Sequence, residues 1–515
     1  MNFLNQSNLN NTSLHQEVLP ERGWLILYVC FIGFILFYNL GHYPIRQWDE
    51  SRLAVSAEEM YMNHNFLIPE IGGEPDSWNL KPPLMIWLQV ISMKIFGWNE
   101  WAVRLPAAIA TFSLCMLIFF FAKNWLKQPL IGFFAGLVLV TSNGFIDFHE
   151  ARSGDYDALL TLFSTSSILF YFSFIESAKG NEQNKYLSIF FICITLGIYT
   201  KSVSILIFMP ALLIYTICRN KLAIVLTKKW FYFGLVSSIS AVLVYYLIRE
   251  KLTPGYSQAV YENELGGRYL RTLENHKHEF LYYFKNLRGY QFKKWFWTLP
   301  FCFCLGLLSR DVIIRKVTLY AGLCTVIYFL IISSAKTKLQ WYDMPLYPLM
   351  TLIIGVGFNQ VFNFIILFIS RFKKSWLMII PFAVIVIAFV DPYKNISQKV
   401  SRQSELPWDE KLYQISHYLR HEIRTQKNLT GYKLYYDEYN LQLVFYTNIL
   451  SRKGQVVEYI NSMHNIKEGM KIIVDKEIIQ NEIKEKFNCR VIDKFKGVEV
   501  YNILSPKQPI PENTP

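Results

Sequence analysis

The chain has 515 residues, of which 52% are apolar, 17% aromatic and only 18% charged, and this composition excludes an ordinary soluble enzyme. Its 52 basic against 39 acidic residues give a net charge of +13, but the cations gather in short loops between apolar runs, so membrane topology and anionic lipid account for them better than a nucleic-acid partner. The cysteines Cys30, Cys115, Cys193, Cys218, Cys302, Cys304 and Cys324 fall in apolar runs and Cys489 stands alone, which leaves no disulfide framework and no metal-type spacing. In chain order, the first apolar run, about 18 residues after the polar start, has no small-residue cleavage site and is expected to remain as an anchor.

Runs able to cross a hydrocarbon core follow at 23–41, 102–122, 129–146, 157–176, 186–199, 202–218, 230–249, 295–308, 317–334, 343–369 and 375–391, about eleven spans. With the N-terminus inside, the inner loops are KNWLK, ESAKGNEQNK, RNKLAIVLTKKW, SRDVIIRK and SRFKKSW, mostly strongly basic, as the positive-inside bias asks. The outer connections then hold QWDESR, FHEARSGDYD, YTKSVS, the long segment 250–294 and AKTKLQWYDMP. Every unusual polar cluster falls on one side of the membrane.

The first outer connection is too long for a loop. DESRLAVSAEEMYMN reads as a helix with its acids in the first turn, where the macrodipole favours them. PPLMIWLQVISMKIFG reads as a second helix opening on a Pro pair and interrupted by Gln89 and Lys94, and both are expected to lie along the outer surface. From 392 to 515 the pattern turns soluble: an amphipathic helix LPWDEKLYQISHYLRHEIRTQ, short strands KLYYD, QVVEYI, KIIVD, CRVIDKF and GVEVYNI, and a helix over 476–486. The division is thus a transmembrane domain at 1–391 and an extracytoplasmic α/β domain at 392–515.

Charges at helix ends are cheap, so position decides their meaning. Asp49 could merely cap its helix and pair with Arg52 at i,i+3. Against that, separate outer loops supply Lys81, then Arg152, Asp155 and Asp157, then Lys201, then Arg268, Arg271, His276 and His278, then Lys336, Lys338, Tyr342 and Asp343. A carboxylate among cations suits a general base facing a phosphate leaving group. His417 and His421 at i,i+4 lack a third ligand and read as a solvated face. Trp78, Trp101, Trp295, Trp297 and Trp341 read as interfacial anchors.

The order WDESRLAVSAEEM, KPPLMIWLQVISMKIFGWNEWAVRLPAAI, ARSGDYDALLTLF, TKS and SSAKTKLQWYDMPLYPLM resembles the GT-C type membrane glycosyltransferases, closest to the bacterial lipid A aminoarabinose transferases and protein O-mannosyltransferases. The likeness covers nearly all of 20–350 and does not extend to the tail. It implies an α-helical polytopic enzyme of the bacterial inner membrane with outer juxtamembrane helices and a soluble C-terminal domain. The implied activity is inverting transfer of a sugar from a polyprenyl-phosphate carrier to a lipid A, glycan or protein acceptor. By the same resemblance Asp49 and Asp157 match the catalytic acids, while Lys81, Lys201, Lys338, Tyr342 and Arg52 match positions around the donor phosphate. Arg268, His276 and Glu50 are carried as substrate-contact candidates.

This chain departs from the family pattern at Leu80, where relatives often have Glu before Lys-Pro-Pro, at Ser202, where Gly is usual, and at Asp155, an extra acid. No cofactor is assigned, and a divalent cation is left open by the absent Glu. The rival reading is a secondary transporter or flippase, which would place ionisable groups at mid-span on broken, repeated helices.

Overall fold

The computed structural model describes residues 21–507 apart from 148, 179, 266–268, 270–275, 373–374 and 437. Arg268 and Arg271 therefore lie outside the described residues. The chain divides into two compact units, one formed by Met1–Asn39, Ser77–Met85 and Leu105–Ser401, the other by Leu40–Asp76, Ile86–Arg104 and Arg402–Pro515.

Among the described residues seven helices are long and apolar enough to cross a membrane: Glu100–Asn124, Asp157–Glu176, Asn181–Cys218, Lys229–Leu252, Val312–Ser334, Gln340–Ser370 and Ile379–Val400. Arg22–Phe37, Leu84–Phe96, Pro129–Val140 and Thr298–Leu307 are shorter apolar helices. The chain is a mostly helical, multi-pass membrane protein. In the first unit close packing depends on small residues: a Cβ on Gly355 would stand 2.4 Å from the Ile131 carbonyl oxygen, so helix Tyr347–Ser370 can lie directly on Pro129–Val140.

The segment Asn181–Cys218 is broken where a site is built. Helix Asn181–Lys201 gives way at Ser202 (φ 51°) to a tight 3-10 turn over Ser202–Phe208, and Gly197 meets Ile205 so closely that a Cβ would lie 1.9 Å from its Cδ1. The chain folds back there, leaving Lys201 at a helix end.

In the second unit the helix expected from DESRLAVSAEEMYMN spans Asp49–Asn63. A small hairpin pairs β1 (Glu70–Ile71) with β2 (Glu74–Pro75). The tail forms a five-stranded sheet from β3 (Tyr432–Tyr435), β4 (Glu458–Ile460), β5 (Lys471–Val474), β6 (Phe487–Phe495) and β7 (Val498–Pro506), in the order β4-β3-β5-β7-β6. The first three are parallel, with Lys433 opposite both Glu458 and Ile472, while β7 runs antiparallel to β5 and β6. All five expected strands are present, as is a helix at Glu477–Lys486. The expected amphipathic helix is interrupted at Tyr413, giving Pro407–Leu412 and Gln414–Thr425. Helix Leu441–Arg452, which the sequence pattern did not announce, packs on Asp49–Asn63.

Candidate active site

A cleft of about 190 Å³ in the first unit gathers Lys81, Asp157, Lys201 and Tyr342, from four separated motifs, on one lining. Each is delivered by a local rule. Lys81 precedes Pro82 and Pro83, which hold the chain out of helix until Leu84, and the buried phenol of Tyr256 donates to the Leu80 carbonyl at 2.7 Å to fix the irregular segment that carries it. Arg249, itself buried, lies over the Tyr256 ring at 4.4 Å and braces that anchor.

Asp157 opens helix Asp157–Glu176 and Lys201 closes helix Asn181–Lys201, so each charge meets the favourable end of a macrodipole. Lys201 Nζ donates to both Asp157 carboxylate oxygens at 2.6 Å, and its ammonium stands 5.3 Å from the Tyr342 ring. Both side chains of the pair are at least nine-tenths buried, so removing either would strand the other's charge. Lys81 Nζ faces Glu264 Oε1 at 3.3 Å and the Tyr156 ring at 5.3 Å. The remaining wall is largely apolar, with Leu160, Val203, Ile207, Ile331 and Ile332. Two ammonium groups at the head of an apolar cleft can hold a phosphate that carries a hydrocarbon chain.

Beside it, His149 Nδ1 meets Asp155 Oδ2 at 2.8 Å while its ring stacks on Trp341 at 4.0 Å. Burial would push the Asp155 carboxyl up, but the hydrogen bond and charge of His149, aided by Lys201, hold it below the usual carboxylate range. Burial and the charge of Asp343 push Glu150 well above that range. His149 and Asp155 are ligand types a divalent cation accepts, supplying two donor atoms.

In the second unit, Asp49 is the first residue of its helix and partly exposed, while Trp48 takes the cap position and no side chain caps the helix. The capping role considered for Asp49 is not what its side chain performs. Glu50 is buried: Arg104 Nε donates to its Oε1 at 2.7 Å and Arg104 Nη2 to its Oε2 at 2.9 Å, while the Arg46 N–H reaches Oε2 at 2.8 Å. Arg104 also donates to the carbonyls of Leu40, Tyr43 and Pro44 at 3.1, 2.9 and 2.7 Å, so this pair clamps the entry to the helix. Glu50, a substrate-contact candidate in the sequence, thus has both carboxylate oxygens engaged within the protein.

Arg52, expected on the donor phosphate or on Asp49, instead pairs with Asp76 at 2.5 Å. Lys338, also expected on the phosphate, is buried and donates to the carbonyls of His278 (3.2 Å) and Ala335, and burial lowers its pKa. Its neighbour Thr337 lines the cleft in its place. The carbonyl of His276 accepts from the Lys338 N–H at 3.0 Å, which ties this stretch to 335–339.

The sequence profile of the dolichyl-phosphate-mannose-protein mannosyltransferases matches residues 80–252, the stretch that holds Lys81, Asp157 and Lys201. A crystal structure of ArnT from Cupriavidus metallidurans bound to undecaprenyl phosphate superposes with a TM-score of 0.68 at 15% identity, over 93% of this chain and 98% of that one. The fold is that of the ArnT/PMT-like GT-C proteins. Among curated relatives, the undecaprenyl phosphate-alpha-4-amino-4-deoxy-L-arabinose arabinosyl transferase of Edwardsiella ictaluri is 26% identical over 65% of this chain and 59% of its own length. The protein so named in Aeromonas salmonicida is 27% identical over 63% of this chain and 58% of its own. The match thus spans under two thirds of these relatives.

Sequence reasoning missed Glu264, Tyr328 and Tyr269 on the cleft, and Arg104 and Tyr439 in the second unit. Glu264 and Tyr269 lie in the outer segment that also holds His276, and Arg104 in the stretch WAVRLPAAI that carries the resemblance, whereas Tyr328 and Tyr439 had no signal.

Proposed function

We propose that the chain is an inverting glycosyltransferase that takes a sugar from a polyprenyl-phosphate carrier and passes it to an acceptor at the outer face of the bacterial inner membrane, with the 392–515 domain on that side. The observation that carries this is the cleft itself, two lysines at the head of an apolar wall. The names of the curated relatives, arabinosyl transferases using an undecaprenyl-phosphate sugar, support the same carrier class.

Lys81 and Lys201 would receive the donor phosphate, with Tyr342 beside it. The acceptor oxygen attacks the anomeric carbon from the face opposite the phosphate, the carbon–oxygen bond to phosphate breaks, and the lipid phosphate leaves with the electron pair. Asp49 would orient the acceptor and take its proton. Asp157, both oxygens engaged by Lys201, is assigned to keep that ammonium charged and aimed rather than to remove a proton. The transporter alternative gains nothing from Asp157, which stands in the first turn of its span and not at mid-span.

The acceptor is a lipid A, glycan or protein. Mass spectrometry of lipid-linked sugars from cells with and without the protein tests the proposal and names the sugar: one polyprenyl-phosphate sugar should accumulate in its absence. Unchanged lipid-linked pools would contradict it.

A further inference from the structure

Trp48, immediately before Asp49, has three properties that its local role does not require. Its side chain is 58% exposed, its backbone sits at φ 66° and ψ −123°, and its ring stacks on Tyr439 of the C-terminal tail with centroids 4.6 Å apart and planes 21° from parallel. The Tyr439 hydroxyl donates to the Trp48 carbonyl at 3.2 Å and so pins the strained peptide. A bulky residue at positive φ is a genuine outlier, and such strain persists only where surrounding structure enforces it.

Bland explanations fit poorly. A helix cap would call for Ser, Asp, Asn or Gly, and Trp48 makes no capping bond. A core role would bury the ring. A headgroup anchor needs neither the strained backbone nor a partner supplied from the far end of the sequence.

What the arrangement offers is a rigid two-ring stack with an open indole surface and a partly exposed carboxylate on the next residue. Aromatic faces are electron-rich and meet the polarised C–H groups of a sugar ring, while a carboxylate accepts its hydroxyls. We propose that Trp48 and Tyr439 form a saccharide platform for the acceptor, on which a pyranose ring lies against the indole with a hydroxyl directed to Asp49. This rests on the glycosyltransferase reading above, and it gives the C-terminal domain a task, to supply Tyr439 and hold Trp48 in place. The occupant is a glycan or glycolipid headgroup, not a peptide.

The test uses the purified full chain and two probes, the glucosamine disaccharide 1,4′-bisphosphate and N,N′-diacetylchitobiose, with saturation-transfer NMR for binding. Trp48→Gly removes the ring and accepts φ 66° without strain, and Trp48→Phe and Tyr439→Leu complete the set. Affinity for the disaccharide that binds the natural chain should fall about tenfold or more in Trp48→Gly and Tyr439→Leu and less in Trp48→Phe. Thermal midpoint and undecaprenyl-phosphate binding should be retained, and in Trp48→Gly the midpoint should not fall. Equal disaccharide binding by natural chain and variants, binding of neither disaccharide by the natural chain, or loss of bilayer association alone would overturn the platform. Failure of the natural chain to bind undecaprenyl phosphate or transfer sugar would instead refute the enzyme class, a separate outcome.

Discussion

Glu264 shares Lys81 with any phosphate that enters the cleft, and this sets up a prediction with a definite sign. The Lys81–Glu264 contact is 3.3 Å, with the two side chains 11% and 6% exposed. Coulomb's law at an effective dielectric of about 20 gives roughly 5 kcal/mol for unit charges at that separation, most of which desolvation cancels, leaving about 1–2 kcal/mol. A donor phosphate must overcome that residue. Glu264→Gln keeps the shape and removes the competing charge, so undecaprenyl phosphate should bind about 5- to 30-fold more tightly. Lys81→Met should weaken binding by at least as much, because it deletes the cation and leaves Glu264 facing the phosphate. Calorimetric titration in detergent at fixed ionic strength measures both, and the gain in Glu264→Gln should shrink as salt rises. Weaker binding in Glu264→Gln would refute the competition and make the carboxylate a group that positions Lys81.

Asp49→Asn should lower turnover by about 10²–10⁴-fold in a transfer assay while melting and donor binding stay unchanged, because no cap is lost; near-normal turnover would return Asp49 to a dipole-stabilising role. Glu50→Gln strands the buried Arg104 charge and should destabilise the protein by about 3–5 kcal/mol, visible as a lowered melting temperature; an unchanged one would mean the clamp is dispensable. Burial pushes the Asp475 carboxyl up to about 6, so the folded state holds this proton more tightly than the unfolded chain and loses stability as pH rises from about 4 to 6. Asp475→Asn should therefore be more stable than the natural chain above pH 6, by at most about 3 kcal/mol, with the advantage gone below pH 4 in thermal melts; an advantage independent of pH would exclude titration as its cause.

The motif order placed Lys81, Asp157, Lys201 and Tyr342 in separate outer connections, and folding brings them to one cleft, because each is fixed by a local signal: a Pro pair, two helix ends and a tight turn. Partners were not legible. Arg52 looked paired with Asp49 by spacing, but Asp76, 24 residues on, takes its charge, and Glu50 belongs to Arg104, 54 residues on. Lys338 looked available for phosphate because a sequence does not show that its ammonium turns to carbonyls. Helix Leu441–Arg452 escaped notice because Leu441, Gln442, Leu443, Phe445, Tyr446, Thr447, Ile449 and Leu450 are all buried, which leaves no clean amphipathic stripe. Strands β6 and β7 were readable because their apolar residues alternate and Gly497 turns between them.

If the lysine-headed cleft takes its sugar from a lipid phosphate, the carrier of the sugar decides whether transfer occurs. Purified protein should be given the same radiolabelled sugar on undecaprenyl phosphate and on a nucleotide, with a Lys81→Met, Lys201→Met double variant beside it. Transfer is expected from the lipid carrier, none from the nucleotide, and loss of lipid-dependent transfer in the double variant. Efficient transfer from the nucleotide sugar without lipid, or undiminished lipid-dependent transfer by the folded double variant, would contradict it.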